Sequence, residues 1–167
     1  MNSDLTVEFS DDVYEKSIQD LIENIKEKSK TLSEGEKINL FFCSSGGHME
    51  VAYYFFDFVR LFLEPDLRVI ISGCADSAAF IMILAGEEVK CTENSHFLLH
   101  RITKGMNGTS DELRAATESG NFLEKRYREL VAENTEMEVR DIMEKMKDNT
   151  IVRPSEALEL GIVDEII

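Results

Sequence analysis

The order of apolar and polar residues predicts a chain in which strands and helices alternate. Residues 5–9 alternate as in a half-buried strand, and apolar residues at helical spacing from Val13 to Ile25 predict the helix that follows, with Ser10 or Asp11 as its cap. The same reasoning predicts strands at 38–42, 68–72, 89–91, 97–102 and 162–167, and helices at 49–63, 76–85, 111–147 and 154–160. Gly73 is expected to end the third strand, a break near Asn134 is expected within the long fourth helix, and Gly161 is expected to end the last helix. With no internal repeat or linker, residues 1–167 are predicted to form one α/β domain of βαβ units.

Composition narrows the class of partner. Among 167 residues, 18 Lys and Arg stand against 33 Asp and Glu, which gives a net charge of −15. Such a charge opposes binding to nucleic acid or to an anionic membrane. The first four residues carry no leader pattern, and the longest apolar stretch, residues 78–85, is too short to cross a bilayer. We therefore expect a cytoplasmic protein without a nucleic-acid or membrane partner.

The cysteines support the same expectation. There are three of them, an odd number, and none has the CxxC spacing of a zinc knuckle. Reduced thiols in the cytoplasm fit this usage better than a disulfide framework does. The three histidines, His48, His96 and His100, have no spacing that joins them to the cysteines on one helix face, so no metal site and no cofactor are expected.

Candidate chemistry lies at two predicted turns from strand to helix and at one strand end. In residues 44–47, two glycines can direct backbone N–H groups toward an oxyanion at a helix N-terminus, although an ordinary tight turn has the same pattern. In residues 73–79, small residues surround Ser77, which is a helix cap, a packed small residue or a nucleophile. His100 ends the apolar run of residues 97–99. A serine, a histidine and paired N–H donors are three parts of acyl-transfer chemistry.

Four sequence blocks in order carry a resemblance to a known family. Residues 43–48 are similar to its Asn-Ser-Pro-Gly-Gly-Ser turn, and residues 73–79 to its Gly-Gln-Ala-Ala-Ser-Met-Gly nucleophile turn. Residues 94–100 are similar to its Asn-Ser-Arg-X-X-X-His strand, and residues 154–164 to its Ala-X-Glu-Ala-X-X-Tyr-Gly-Leu-Val-Asp tail. From about Leu5 to the C-terminus, the chain resembles the proteolytic subunit of the Clp protease, which has the Clp/crotonase fold.

The resemblance implies a serine endopeptidase that cleaves small or unfolded peptides. Ser77 would be the nucleophile and His100 the general base, while the backbone N–H groups of Gly47 and Ala78 would bind the oxyanion. It also implies a repeated βαβ spiral and a homo-oligomer of stacked rings, in which the helical segment 111–147 would be the protruding handle where two rings meet. Family members carry an extra N-terminal segment that contacts an ATP-driven unfoldase. Because the first strand is predicted about four residues from Met1, the sequence does not support a Clp-type ATPase partner and favours a stand-alone peptidase or a subunit of a mixed assembly.

The third member of the triad is open between two residues. Counting back without a gap from Glu156 and Ala157 places Asn149 at the orienting position, where the family has an aspartate, and Asp148 lies one residue earlier. An asparagine can hold the imidazole tautomer but lacks the charge that stabilises imidazolium, so it predicts slower acylation. A second departure is Asp76, a carboxylate directly before the nucleophile, which could cap the helix or repel the oxyanion.

These departures keep two alternatives open. A catalytically lapsed homologue that acts as a structural or regulatory subunit would assemble into rings without reacting with serine probes. An acyl-CoA enzyme of the crotonase branch would use the same oxyanion donors. It ranks last, because the sequence offers no basic patch for the CoA phosphates and no glutamate pair in the helix after Gly73.

Overall fold

A computed structural model describes residues 5–63, 66–103, 105 and 107–167 as a mixed α/β fold. The strands are β1 Thr6–Ser10, β2 Ile38–Ser44, β3 Leu67–Ala75, β4 Glu88–Cys91, β5 Phe97–Leu99, β6 Thr150–Val152 and β7 Glu165–Ile166. The helices are α1 Glu15–Ser29, α2 Met49–Phe58, which continues as a π-helical turn over Val59–Leu63, α3 Ala78–Ile83, α4 Ser110–Asn134, α5 Val139–Lys147 and α6 Pro154–Glu159. The α/β class is therefore as predicted.

The strands form two sheets. Five of them make a parallel sheet in the order β1-β2-β3-β4-β7, and β5 and β6 make a separate antiparallel pair. Parallel neighbours need crossover connections, which the helices between them supply. The apolar runs of β2 and β3 lie in the middle of the sheet, and every residue of α3 is buried, as its composition predicted. The carboxyl ends of β2 and β3 both lead into a helix at the same edge of the sheet.

Several predicted boundaries are wrong for identifiable reasons. Gly73 does not end β3, because at φ 110° it accepts a conformation that lets the strand continue to Ala75. Consequently α3 begins at Ala78 and not at Asp76. The first helix begins after Tyr14, whose N–H donates to the Ser17 hydroxyl at 3.2 Å, so neither Ser10 nor Asp11 is its cap.

Strand lengths also differ from the pattern. The strand predicted at 97–102 ends at Leu99, and the strand predicted at 162–167 is limited to two residues of β7. The sequence did not predict β6, which pairs with β5. The helix predicted at 49–63 leaves the α conformation at Val59.

The predicted helix ends near Asn134 and Gly161 are confirmed. Helix α4 stops at Asn134, where side-chain hydrogen bonds return to carbonyls four residues earlier. Gly161 at φ 64° ends α6, and the N–H of Ile162 reaches the carbonyl of Ala157 at 2.9 Å, which is a Schellman cap. Within the described ranges, no helix combines the length and the apolar character needed to cross a membrane.

Candidate active site

Ser77 lies in a strained turn between β3 and α3. Its φ of 56° and ψ of −123° belong to a region that L-residues other than glycine rarely occupy, at a cost of about 1–3 kcal/mol. Its N–H donates to the carbonyl of Leu98 at 2.9 Å, and the side chain is half-buried. In the part of the chain that the structure describes, its hydroxyl makes no capping hydrogen bond. The helix-cap interpretation of this serine is therefore wrong.

Gly46, the first of the two glycines after β2, packs directly against this turn. A Cβ on Gly46 would lie 2.6 Å from the carbonyl oxygen of Asp76 and 2.9 Å from the Cβ of Ser77. The N–H of Asp76 donates to the carbonyl of Ser44 at 3.0 Å. The Gly46 position therefore has no room for a side chain, because the glycine turn and the serine turn are in contact.

The two candidate oxyanion donors are next to that contact in the sequence: Gly47 follows Gly46, and Ala78 follows Ser77. Gly47, at φ 151°, is held by Val13, whose carbonyl accepts from the N–H of His48 and whose N–H donates to Gly46. Ala78 is the first residue of α3, where helix geometry leaves the N–H without an intrahelical acceptor. Among the hydrogen bonds within the described ranges, none uses the N–H of Gly47 or of Ala78. Both N–H groups therefore lack an acceptor in that part of the chain; Gly47 is exposed, whereas Ala78 is buried beneath the serine turn.

His100 directly follows strand β5. The side chains of Phe97 and Leu99 are buried, whereas Leu98 and His100 are half-buried, as the alternation along a strand requires. The Leu98 carbonyl accepts the Ser77 N–H, so the strand that leads to His100 is tied to the nucleophile turn. The structure thus joins three sequence blocks, around Gly46, Ser77 and Leu98, that are distant along the chain.

Asn149 directly precedes β6, the strand that pairs with β5. Strands β5 and β6 pair antiparallel with Leu99 opposite Thr150, so continuing the register by one residue matches His100 with Asn149. Asp148 lies one residue outside that match and ends α5, with its N–H donating to Glu144. Asn149 is exposed and has a φ of 50°. Of the residues that the structure describes, Ser77 and Asn149 are the two non-glycine residues with positive φ.

The carboxylate of Asp76 is turned toward β5. Its Oδ1 accepts the N–H of Leu98 at 2.8 Å, and its Oδ2 lies 3.4 Å from Nε2 of His96. The side chain is 14% exposed and does not cap α3. The expectation that Asp76 caps the helix is therefore wrong, and the carboxylate serves instead to fix the start of β5.

The cysteines near the site are thiols of low reactivity. Burial, together with a contact to Cys43 whose sulfur lies 3.8 Å away, raises the pKa of Cys74 to about 11. Burial also raises the pKa of Cys91. Because the thiolate is the nucleophile, neither group competes with Ser77 near neutral pH.

Two features of this region were not found from the sequence. Cys74, Asp76 and His96 bring their donor atoms within 4.8 Å of one another. This contact depends on the extension of β3 through Gly73 and on a bridge between Cys74 and His96, neither of which the periodicity indicates. A groove of about 260 Å³ also lies between Ile102, just after His100, and the first half of α4; its lining includes Leu113, Thr117 and Asn121.

Comparison with known proteins shows the family to which the chain belongs. The model of the Clp protease family matches residues 2–167. An ATP-dependent Clp protease proteolytic subunit from Paracoccus denitrificans is 29% identical over 134 residues, which covers 79% of this chain and 67% of that protein. A second such subunit, from Treponema denticola, is 22% identical over 163 residues, which covers 97% of this chain and 79% of that protein.

The fold is also that of solved Clp structures. ClpP1 from Listeria monocytogenes superimposes with a TM-score of 0.80 at 23% identity, covering 98% of this chain and 91% of that one. A ClpP1 mutant from the same organism, with one asparagine replaced by aspartate, gives a TM-score of 0.86 at 22% identity and the same coverage. Because the family model spans nearly the whole sequence, this chain belongs to the Clp protease family.

Proposed function

We propose that this chain is a serine-type endopeptidase that cleaves small or unfolded peptides through an acyl-enzyme on Ser77. One observation carries the proposal: Ser77 holds a strained backbone conformation and makes no capping bond, while two unused N–H groups lie on either side of its turn. Strain at a single residue persists only where the surroundings enforce it, and such residues concentrate at active sites. A turn from strand to helix with its nucleophile in this conformation is a recurrent device for exposing a serine hydroxyl.

Each step of acyl transfer has a residue to perform it. Ser77 Oγ attacks the peptide carbonyl as His100 takes the hydroxyl proton, and the developing oxyanion accepts hydrogen bonds from the N–H groups of Gly47 and Ala78. His100 then gives the proton to the leaving amine. Water, deprotonated by His100, hydrolyses the ester and restores Ser77. Each oxyanion donor contributes about 3–4 kcal/mol to lowering the barrier, by analogy with measured donor deletions.

The groove beside α4 is the proposed binding site for the substrate peptide. It starts at Ile102, two residues beyond the proposed base, and its lining combines apolar and polar side chains, which suits a peptide with varied sequence. Its lining also contains a carboxylate of α4, that of Glu124, whose Oε1 accepts the N–H of Ile102 at 3.2 Å.

Asn149 is the proposed third member of the triad. The register of β5 with β6 supports this role: when it is continued by one residue, it matches Asn149 with His100 and leaves Asp148 one residue away. An asparagine oxygen can accept from the imidazole and fix its tautomer, but it provides no negative charge for the imidazolium. Acylation is therefore expected to be slow compared with a site that holds an aspartate there.

The assembly follows from family membership. We propose a homo-oligomer of stacked rings in the cytoplasm, with α4 and α5 as the handle segment between rings. The relatives from Paracoccus and Treponema are named as subunits of an ATP-dependent protease. A Clp-type ATPase is accordingly the partner to test first, by measuring whether an ATPase of that class accelerates peptide cleavage by the assembled protein.

A fluorophosphonate probe tests the proposed activity. The assembled protein is incubated with the probe, and the modified peptide is located by mass spectrometry. Labelling is expected at Ser77, at one probe per chain, and is expected to vanish in Ser77→Ala. Ser72→Ala is the matched control, because Ser72 is an exposed serine of the same strand and should leave labelling unchanged. Absence of labelling in a folded, assembled sample would contradict the proposal and favour the lapsed subunit.

A further inference from the structure

The extension of β3 creates a cluster of metal-ligating side chains just before Ser77. Cys74 and His96 form a parallel bridge, which directs their side chains to the same side of the backbone. Asp76, two residues after Cys74, points to that side as well, and the donor atoms of the three residues all lie within 4.8 Å of one another. Three side chains of ligating type therefore converge on one point, from two segments that are separate in sequence.

The contact between the imidazole and the carboxylate fits tetrahedral coordination. With Zn–N and Zn–O bonds of about 2.0–2.1 Å, a nitrogen and an oxygen on one tetrahedral zinc lie about 3.3 Å apart. His96 Nε2 and Asp76 Oδ2 are 3.4 Å apart. Cys43 Sγ lies 3.8 Å from Cys74 Sγ but does not belong to the group of mutually close donor atoms, so it is not counted as a ligand.

We propose that Cys74, Asp76 and His96 bind one thiophilic divalent cation of the Zn²⁺ type, with solvent as the fourth ligand. Thiolate and imidazole donors select zinc and similar transition ions, whereas magnesium and calcium take oxygen ligands. Binding deprotonates the Cys74 thiol and releases its proton to solvent.

The surroundings are those of a supported ligand set. Asp76 Oδ1 is held by the backbone N–H of Leu98, which leaves Oδ2 facing His96, and such outer hydrogen bonds orient carboxylate ligands. His96 is 43% exposed, so an ion can reach the cluster from solvent. The proposal does not depend on the activity at Ser77, because it concerns the side chains that precede the nucleophile and is measured by binding alone.

The chain contains a natural comparison for this site. His48 Nδ1 lies 3.8 Å from Glu15 Oε1, with side chains 65% and 71% exposed. This pair is also a histidine beside a carboxylate, but among the described residues no cysteine joins it in a ligand cluster. It measures what an ordinary surface pair contributes to metal binding.

Cobalt provides the direct test. Reduced, metal-free protein without a histidine tag is titrated with Co²⁺, whose thiolate complexes give a charge-transfer band in the near ultraviolet. We expect a band that saturates at one Co²⁺ per chain and disappears when Zn²⁺ is added. Cys74→Ser should abolish the band, and His96→Asn should weaken binding at least about tenfold, because each removes a direct ligand. Cys43→Ser should leave the band and the affinity unchanged, because Cys43 lies beside Cys74 but is not one of the three ligands.

Control variants separate the site from adventitious binding. His48→Asn and Cys91→Ala should leave the Co²⁺ titration unchanged, because neither residue belongs to the cluster. Zn²⁺ should raise the Tm of the wild-type protein but not of His96→Asn, and because His96 is largely exposed that variant is expected to fold. A Co²⁺ titration without a charge-transfer band, or one that Cys74→Ser or His96→Asn leaves unchanged, would overturn the proposal.

Discussion

The turns at Ser77 and Asn149 both hold a non-glycine residue at positive φ, in contrasting surroundings. Ser77, at φ 56° and ψ −123°, lies between Ala75 and Ala78, which are fully buried, and is bonded to Leu98. Asn149, at φ 50°, is exposed and lies between the end of α5 and the start of β6. Asparagine is one of the few residues that enter the left-handed region readily, whereas serine at this ψ is not.

The difference shows which part of the site is fixed. At Ser77, packing and hydrogen bonds from β2, α3 and β5 impose the strained conformation. At Asn149, asparagine adopts positive φ with little strain. Because its side chain is exposed, another residue that tolerates positive φ can replace it. The position of the proposed nucleophile is therefore determined by the core, while the proposed orienting position can change between asparagine and aspartate at little cost to the fold. The variants below test this contrast.

Gly46→Ala should have the largest effect. A Cβ at φ 99° would lie 2.6 Å from the Asp76 carbonyl and 2.9 Å from the Ser77 Cβ, so the serine turn must move. We expect a loss of about 3 kcal/mol in unfolding free energy and a fluorophosphonate labelling rate lower by about 100-fold. Thermal unfolding at fixed protein concentration and labelling kinetics measure the two effects.

Gly120→Ala is the matched control for this substitution. Gly120 lies within α4, and a methyl group added there would have open space within 4 Å, so the change should raise stability by about 0.5–1 kcal/mol. A Gly46→Ala protein that labels at the wild-type rate would show that the two turns are not coupled.

Alkylation of Cys74 measures how tightly the segment before Ser77 is packed. A pKa of about 11 means that the thiolate fraction is small at pH 8 and increases as pH rises toward that value. The rate of iodoacetamide modification at Cys74 should therefore increase by about 100-fold from pH 8 to pH 10, since the thiolate is the reactive form. Peptide mapping of metal-free protein measures the rate. A plateau below pH 9 would contradict the burial of this thiol.

Asn149→Asp should accelerate labelling of Ser77 by at least about tenfold, because the carboxylate stabilises the imidazolium that forms during attack. The unfolding temperature should change little, since the residue is exposed and aspartate also tolerates positive φ. Asp148→Asn is the matched control and should leave the rate unchanged. If only the change at residue 148 altered the rate, the register assignment of Asn149 would be wrong.

Glycine at the two turns should have a smaller and unequal effect on stability. Ser77→Gly should be more stable than Ser77→Ala by about 1 kcal/mol, because glycine adopts this conformation without strain. Asn149→Gly should differ from wild type by only a few tenths of a kcal/mol, because asparagine already accepts the left-handed region. Chemical denaturation of the variants at equal concentration checks both values. Equal stability of Ser77→Gly and Ser77→Ala would mean that the turn at Ser77 is not strained.

The local parts of the site could be predicted from the sequence. About ten consecutive residues are enough to specify a strand, a turn of glycines or small residues, and the helix that follows. The turns at Gly47 and Ser77 were therefore identified correctly from the sequence. Gly161 was predicted as a helix end for the same local reason. Which residue lies opposite His100 could not be decided from spacing, because the answer depends on the pairing of β5 with β6.

The remaining differences arise from contacts between distant segments. Gly73 has the composition of a strand end, but pairing with His96 keeps the strand extended to Ala75. Strand β6 has only three residues and no apolar run of its own, so its pattern is too short to predict. The cluster of Cys74, Asp76 and His96 depends on the same extension of β3. The spacing of cysteines and histidines along one helix face therefore gave no sign of it.

The structure of the assembled protein with a fluorophosphonate on Ser77 tests the central claim most directly. The account predicts that the phosphonyl oxygen accepts hydrogen bonds from the N–H groups of Gly47 and Ala78 at about 2.7–3.1 Å. It also predicts that His100 lies within hydrogen-bond distance of Ser77 Oγ, with Asn149 on the opposite side of the imidazole. An adduct on another residue, or a phosphonyl oxygen directed away from both N–H groups, would contradict it.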